Sequence, residues 1–216
     1  MTIFTHLSKP KIMIIKVLQN TLLACAMIIT NMTVHSCSTE SEDFTSKELS
    51  LIHEADSIMR VLTIDSPADE AVLRARSTDL SAESLLSDDY GRLAELMIAT
   101  VTHPSQDGVG IAAPQVGLNR RIVAVQRFDK EGEPFEVYPN IRIVWTSDSL
   151  EPGPEGCLSV PGMRGEVLRS QEIVIEYADI KDPAVPTVRD TVSGFTAVIF
   201  QHEVDHLEGV LYIDRL

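Results

Sequence analysis

The chain has 216 residues, of which 32 are acidic and 18 are lysine or arginine, so its formal net charge is −14. A protein this acidic is not suited to phosphate contacts, and we therefore expect no nucleic-acid partner. The length allows one domain of ordinary size, and the sequence contains no repeats and no long low-complexity stretch.

Residues 1–36 have the composition of a signal peptide. Lysines precede an apolar run at residues 22–29, and the first acidic residue of the chain is Glu40. The apolar run is too short to be a convincing membrane span. The sequence therefore predicts an export signal over residues 1–36.

The signal is followed by Cys37 and a polar, acidic tract at residues 38–43. A small residue before a cysteine and an acidic tract after it resemble the cleavage site and tether of bacterial lipoproteins. This resemblance predicts an exported protein that is anchored to a bacterial membrane only through a lipid on Cys37. The alternative is a different start: Met13 would keep a signal, whereas Met59 would remove it and leave a cytoplasmic protein.

The next residues, 37–58, are predicted to form the tether and an N-terminal helix, and residues 59–216 a single domain. Thr45 and Glu48 have the spacing of a capping box, which predicts that the helix begins there. Apolar residues follow on one face as far as Met59.

Further elements are predicted from hydrophobic periodicity. Two more helices are expected, and Pro139 indicates an edge or a bulge in the second of four expected strands. The fold class is α+β, with the C-terminal helix packed against mainly antiparallel sheets. The helices are predicted at 88–101 and 193–208, and the strands at 122–126, 137–145, 173–177 and 188–193.

The C-terminal helix carries the sequence His202-Glu203-Val204-Asp205-His206. Imidazoles four residues apart lie on the same face of a helix and can bind one metal ion, and the glutamate between them can act as a general base. A third ligand is required. Cys157, in a glycine-containing turn at residues 155–159, is the first candidate, and His103 in a polar loop is the second.

Three motifs occur in order at residues 108–115, 155–159 and 201–209, and together they resemble the signatures of peptide deformylases. The resemblance covers about the last 150 residues, from near Ile64 to Leu216. It implies a catalytic domain at 59–216 that removes the formyl group from N-formylmethionyl peptides or proteins and releases formate. The metal ligands would be Cys157, His202 and His206, with Glu203 as general acid/base, and Gln115 and the backbone N–H of Leu158 would face the substrate carbonyl oxygen.

The resemblance also implies a cofactor and a substrate pocket. Attack by a metal-bound hydroxide is expected, with Fe²⁺ as the physiological ion and Zn²⁺ or Ni²⁺ as possible substitutes. Gly108 and Gly110 would leave room for an extended peptide that adds as a strand. Apolar pocket residues can equally be core residues, and an arginine there can be merely solvated. The pocket residues implied are Val109, Gly110, Arg164, Phe195, Val198 and Ile199.

Supporting roles are expected for two carboxylates. Asp205 would accept a hydrogen bond from a cation or a backbone group, and Glu155 would pair with Arg164 or Arg169. A metalloprotease is a weaker alternative, because Asp214 is the only carboxylate beyond Glu208 that could be a downstream ligand. A catalytically silent binding protein, or one with a different acyl substrate, is the other alternative. We expect a monomer.

Overall fold

The structure is a computed structural model that describes residues 41–181 and 187–216. The predicted signal peptide and Cys37 lie outside the described residues. No helix among the described residues is long and apolar enough to cross a membrane. The α-helices are α1 (Ser46–Glu54), α2 (Pro67–Leu73), α3 (Ala82–Leu85), α4 (Asp88–Val101) and α5 (Gly194–Leu207). Short 3-10 helices lie at Ala113–Val116 and Tyr212–Arg215.

The strands form antiparallel sheets around α5, with one short parallel pair, β1 with β2. Two sheets have three strands each, in the orders β3-β4-β5 and β10-β9-β6, and β7 pairs with β8 as a long hairpin. Helix α5 contacts strands of both three-stranded sheets and of the hairpin. The predicted α+β class is therefore confirmed. The strands are β1 (Ser41–Glu42), β2 (Asp79–Leu80), β3 (Gly110–Ala112), β4 (Ile122–Gln126), β5 (Phe135–Pro139), β6 (Arg142–Thr146), β7 (Leu150–Cys157), β8 (Val160–Ser170), β9 (Glu172–Tyr177) and β10 (Val188–Ser193).

Helix α5 is buried over most of its surface, which explains why its apolar residues are not confined to one stripe. Phe200 and Leu207 are fully buried in the core between the sheets. The helix ends as predicted, because Gly209 has a φ of 73°, in the left-handed region. A Cβ at this position would also lie 2.2 Å from the carbonyl oxygen of Arg74.

Helix α1 begins at the predicted capping box. The Thr45 side chain accepts from the N–H of Glu48, and the Glu48 carboxylate accepts from the N–H of Thr45. The helix ends at Glu54, so Met59 is buried in the core without belonging to its apolar face. Ile52 is fully buried against α4, and the described residues belong to one compact unit. Residues 41–58 are thus packed onto the domain that follows them.

Most of the predicted strands are confirmed, but the strand predicted at residues 137–145 is wrong. Strand β5 ends at Pro139 on the edge of one sheet, and β6 begins at Arg142 in another. Asn140 between them has a φ of 52°, which turns the chain. Pro139 and Asn140 are typical turn residues, but the apolar residues on both sides of them favoured one continuous strand.

The β7–β8 hairpin was missed by the sequence analysis. Strand β7 contains Pro152, Gly153 and Pro154, which are typical of loops. The hairpin is an isolated two-stranded unit at the surface, where proline does not interrupt a central ladder. Cys157 therefore lies at the end of a strand, beside the turn at Leu158 and Ser159.

Candidate metal centre and substrate cavity

Three side chains with metal-binding atoms meet where β7 ends beside α5. One potential ligand atom from each of Cys157, His202 and His206 lies within 4.8 Å of the others. The Sγ of Cys157 is 3.2 Å from the Nε2 of His206. Tetrahedral coordination of zinc by a thiolate and an imidazole separates these two atoms by about 3.6 Å. The cluster therefore has the donor set and the size for one metal ion.

His103, the other candidate ligand, is not part of this cluster. Its Nδ1 lies 2.8 Å from the hydroxyl oxygen of Ser105 on an exposed loop. Asp214, the carboxylate considered for a metalloprotease site, forms an ion pair with Arg74 instead. Among the described residues, the third donor is thus a cysteine from upstream of the helix.

Glu155 fixes the orientation of one imidazole. Its Oε2 lies 2.7 Å from Nδ1 of His202, which leaves Nε2 of that ring as the atom that can coordinate a metal ion. Arg169 donates to both oxygens of Glu155, at 2.7 and 3.0 Å. Burial would raise the pKa of Glu155, but the hydrogen bonds from His202 and Arg169 outweigh it and lower the pKa to about 2. Of the two expected partners, Arg169 is the one that pairs with Glu155.

The two imidazoles differ in electrostatic environment. Burial opposes protonation of His202, yet the hydrogen bonds with Cys157 and Glu155 raise its pKa to about 10. Burial and the charge of His202 hold the pKa of His206 well below its ordinary value. The site thus favours a positive charge on His202 and keeps His206 neutral. Such a site is suited to a metal cation, which displaces the proton of His202 on binding.

Asp205 joins the metal helix to the hairpin and to the C-terminus, and it accepts hydrogen bonds from cations as expected. Its carboxylate accepts from Arg169 at 2.6 Å and from Nε of Arg215 at 2.6 Å. The ring of Tyr212 stacks on that of His202, with centroids 6.0 Å apart. No sequence pattern predicted the roles of Tyr212 and Arg215, although both follow the helix motif within ten residues.

Gln115 is held by the 3-10 helix after β3 so that its amide nitrogen points toward the cluster. Its Oε1 accepts from the N–H of Ala112 at 2.8 Å. Its Nε2 donates to the hydroxyl of Ser159 at 3.2 Å and lies 3.5 Å from the Sγ of Cys157. An N–H donor is thus directed beside the metal cluster. The turn residue Leu158 lines the same cavity.

Glu203 is buried, and its Oε2 has no hydrogen-bond partner among the described residues. Burial raises its pKa to about 7, which suits a group that accepts and returns a proton at neutral pH. A Cβ at Gly110 would lie 2.5 Å from Oε1 of Glu203 and 2.9 Å from Ile199. A Cβ at Gly108 would lie 2.8 Å from a methyl of Val101. Both positions therefore favour glycine because helices pack closely against them. This reason differs from the expected one, which was room for a substrate peptide.

A cavity of about 800 Å³ opens in front of these groups. Strand β3 borders it and, among the described strands, pairs with β4 alone, so its other edge is open to a peptide. Ile199 belongs both to the cavity wall and to the core, whereas Phe195 is 57% exposed. Arg164 is exposed and forms no ion pair or hydrogen bond with the described residues. All predicted pocket residues line the cavity, namely Val109, Gly110, Arg164, Phe195, Val198 and Ile199, and so do Pro154 and Met163, which were not predicted.

The fold and the cluster define an α+β protein with a Cys/His/His metal centre at the base of a cavity. The family model described as polypeptide deformylase matches residues 58–216. The chain belongs to this family.

Individual relatives agree with this assignment. The peptide deformylase of Leptospira biflexa is 36% identical over 166 residues, which cover 74% of this chain and 88% of that protein. Peptide deformylase 1B, chloroplastic/mitochondrial, of Arabidopsis thaliana is 46% identical over 151 residues, which cover 68% of this chain and 51% of that protein. The class I type b peptide deformylase of Acinetobacter baumannii, solved with Met-Ala-Ser bound, has a TM-score of 0.64 at 33% identity. That match covers 74% of this chain and 98% of the solved one.

Proposed function

We propose that this protein removes the formyl group from N-formylmethionyl peptides or proteins, which releases formate and a free amino terminus. The observation that carries the proposal is one cavity onto which the Cys/His/His cluster, Glu203 and Gln115 all converge. The relative from Acinetobacter baumannii binds Met-Ala-Ser, a peptide with the free amino terminus that such a reaction leaves.

The metal would be held by Cys157, His202 and His206. A divalent ion bound there lowers the pKa of a water ligand and polarises a carbonyl oxygen. A mixed thiolate and imidazole donor set admits iron, zinc and nickel. We propose Fe²⁺ as the physiological ion, with Zn²⁺ or Ni²⁺ as substitutes.

The protein residues move the proton and stabilise the developing charge. Glu203 takes a proton from the attacking water and delivers it to the departing amine, and the burial that raises its pKa favours the first of these steps. The amide of Gln115 and the backbone N–H of Leu158 donate to the oxygen of the tetrahedral carbon. One such donor typically contributes about 3 kcal/mol to the stability of the transition state.

The cavity orients the substrate. The methionine side chain would pack against Val109, Val198 and Ile199, and the peptide backbone would pair with the open edge of β3. An unbranched thioether fits an irregular apolar surface of this kind. Arg164, which has no ion pair in the described part of the chain, would contact the substrate backbone.

We further propose an exported monomer with a signal peptide at residues 1–36, a lipid on Cys37, an N-terminal segment at 37–58 and the catalytic domain at 59–216. The support is the basic, apolar and then acidic sequence of the N-terminus. Substrates would then be formylated peptides or proteins outside the cytoplasm. Mass spectrometry of membrane-associated protein, with Cys37→Ser as the control, tests the anchor. A cytoplasmic chain with an unmodified N-terminus would support the alternative start.

Formate release from formyl-Met-Ala-Ser tests the activity. The full chain is loaded anaerobically with Fe²⁺ and compared with Glu203→Gln and with the exposed-carboxylate control Glu95→Gln. We expect a loss on the order of 10²–10⁴-fold in kcat for Glu203→Gln at unchanged metal content, and no loss for the control. A wild-type protein that binds the metal and releases no formate would contradict the proposal and favour another acyl substrate or a binding role.

A further inference from the structure

One face of the β7–β8 hairpin carries an unusual set of exposed apolar side chains. In the hairpin register, Pro152 is opposite Leu168 and Leu150 is opposite Ser170. Cross-strand partners project to the same side of a sheet, so these residues share one face with Pro154. Leu168 is 62% and Leu150 is 54% exposed. We call Leu150, Pro152, Pro154 and Leu168 the hairpin strip.

The opposite face of the hairpin is different. There Glu155, Val167 and Arg169 are buried against the metal cluster and the C-terminus. The folding of the hairpin therefore depends on its inner face and leaves the strip without a structural role. Exposed leucines are ordinary as single residues, but a contiguous exposed apolar row indicates a binding surface.

The hairpin strip is continuous with the substrate cavity. Pro154 belongs both to the strip and to the cavity wall, next to Gly156 and Arg164. Successive residues on one face of a strand are about 7 Å apart, so the strip extends about 14 Å from the cavity edge to Leu150. An extended peptide advances about 3.3 Å per residue, which corresponds to about four residues along the strip.

We infer that the hairpin strip binds the part of the substrate polypeptide downstream of the residues in the cavity, and that it favours apolar side chains there. The inference rests on the proposed function, because it requires a peptide whose amino terminus is at the metal. Glu166 is the charged residue opposite Pro154 on this face, so acidic downstream segments would be disfavoured.

The test compares peptides that differ only beyond the third residue. Formyl-Met-Ala-Ser is extended either with Leu-Ile-Val-Leu or with Ser-Gln-Thr-Ser, and kcat/KM is measured for the full chain loaded with Fe²⁺. Burial of leucine side chains against the strip removes apolar surface from water, so we expect a preference of about tenfold or more for the apolar extension. Leu168→Glu should reduce this preference to near unity and leave formyl-Met-Ala-Ser unaffected.

Leu86→Glu is the matched control, because Leu86 is 61% exposed at the C-terminal end of α3 and lies outside the strip. Failure to cleave any peptide would refute the proposed function itself. Cleavage of all three peptides with equal kcat/KM in the wild type would overturn only the inference about the strip. Two other results would also overturn the inference if Leu168→Glu leaves the peptide preference unchanged. A lower molecular mass of this variant by light scattering would assign the strip to contact with a second copy. Loss of binding to lipid vesicles would assign it to a membrane.

Discussion

Two buried arginines in this protein each form two hydrogen bonds with a glutamate, and the two pairs have different consequences. Arg169 and Glu155 join the hairpin to the metal helix, and Glu155 also accepts from His202. Arg120 and Glu48 join the segment before β4 to helix α1, with bonds of 2.7 and 2.9 Å. Both arginines are about equally buried, with 4% and 3% of their side chains exposed.

The difference lies in the third partner of each pair. Around Arg120, the other acceptors include the Glu42 side chain and the Asp43 carbonyl, which hold the N-terminal segment in place, and the Thr78 hydroxyl. Around Glu155, the third group is the imidazole of His202, whose other nitrogen can coordinate a metal ion. The same buried interaction therefore secures the fold in one region and orients a ligand in the other. Only the pair of Arg169 and Glu155 should affect metal binding and catalysis.

Removal of the N-terminal segment should have the largest effect on stability. A chain that starts at Met59 lacks Glu48 and Ile52, which removes the carboxylate partner of Arg120 and opens the core beside α4 to water. Loss of a buried isoleucine side chain alone costs about 2–5 kcal/mol, and loss of the ion pair adds to this cost. Urea denaturation of the truncated and full chains measures the difference. Equal unfolding midpoints would show that the segment is dispensable.

Gly110→Ala should affect activity more strongly than stability. The added methyl group would lie 2.5 Å from Oε1 of Glu203, which must be displaced, and 2.9 Å from the buried side chain of Ile199, which must shift. Displacement of a general base removes a contribution on the order of 10²–10⁴-fold to kcat. Formate release and the unfolding midpoint should be measured on the same preparation. A fully active variant would contradict the prediction, because it would show that the added methyl group does not displace Glu203 from its catalytic position.

Glu155→Gln should weaken metal binding by about 10–100-fold, the usual effect of removing a partner that orients a metal ligand. The readout is Zn²⁺ affinity in competition with a chromogenic chelator, together with the unfolding midpoint of the metal-free protein. Glu48→Gln is the matched control, because it also removes charge from a buried pair with arginine. We expect it to lower stability and leave the Zn²⁺ affinity unchanged. Equal losses of affinity in both variants would break the distinction between the two regions.

Gly91→Ala should give the smallest change and the opposite sign. Gly91 lies within α4, which packs against α1, and a Cβ there meets no atom within 4 Å. Alanine is more favourable than glycine in a helix by about 1 kcal/mol, so the free energy of unfolding should increase by up to that amount. Kinetic constants for formyl-Met-Ala-Ser should not change. Destabilisation would reveal a contact of α4 absent from this structure.

Local chemistry in the sequence was sufficient to predict much of the fold and the site. The capping box at Thr45 defined the start of α1, and hydrophobic periodicity located α4 and α5 to within one residue. The spacing of His202 and His206 was informative because a helix repeats every 3.6 residues, which places both rings on one face. The same motif indicated Glu203 as a general base, whereas the choice of Cys157 over His103 and the role of Gln115 came from the resemblance to peptide deformylases. Apart from those two, these predictions depend on interactions between residues close in sequence.

Tertiary structure decided the interactions between residues far apart in sequence. Glu155 could have paired with Arg164 or Arg169, and only the pairing of β7 with β8 directs Arg169 inward and Arg164 toward the cavity. The hairpin itself was hidden by Pro152, Gly153 and Pro154, since loop composition gives no indication of pairing. The need for glycine at Gly110 depends on the approach of Glu203 from a helix more than 80 residues later. Residue type and spacing predicted the chemistry, whereas packing determined which partner meets each group, because long-range contacts have no local sequence pattern.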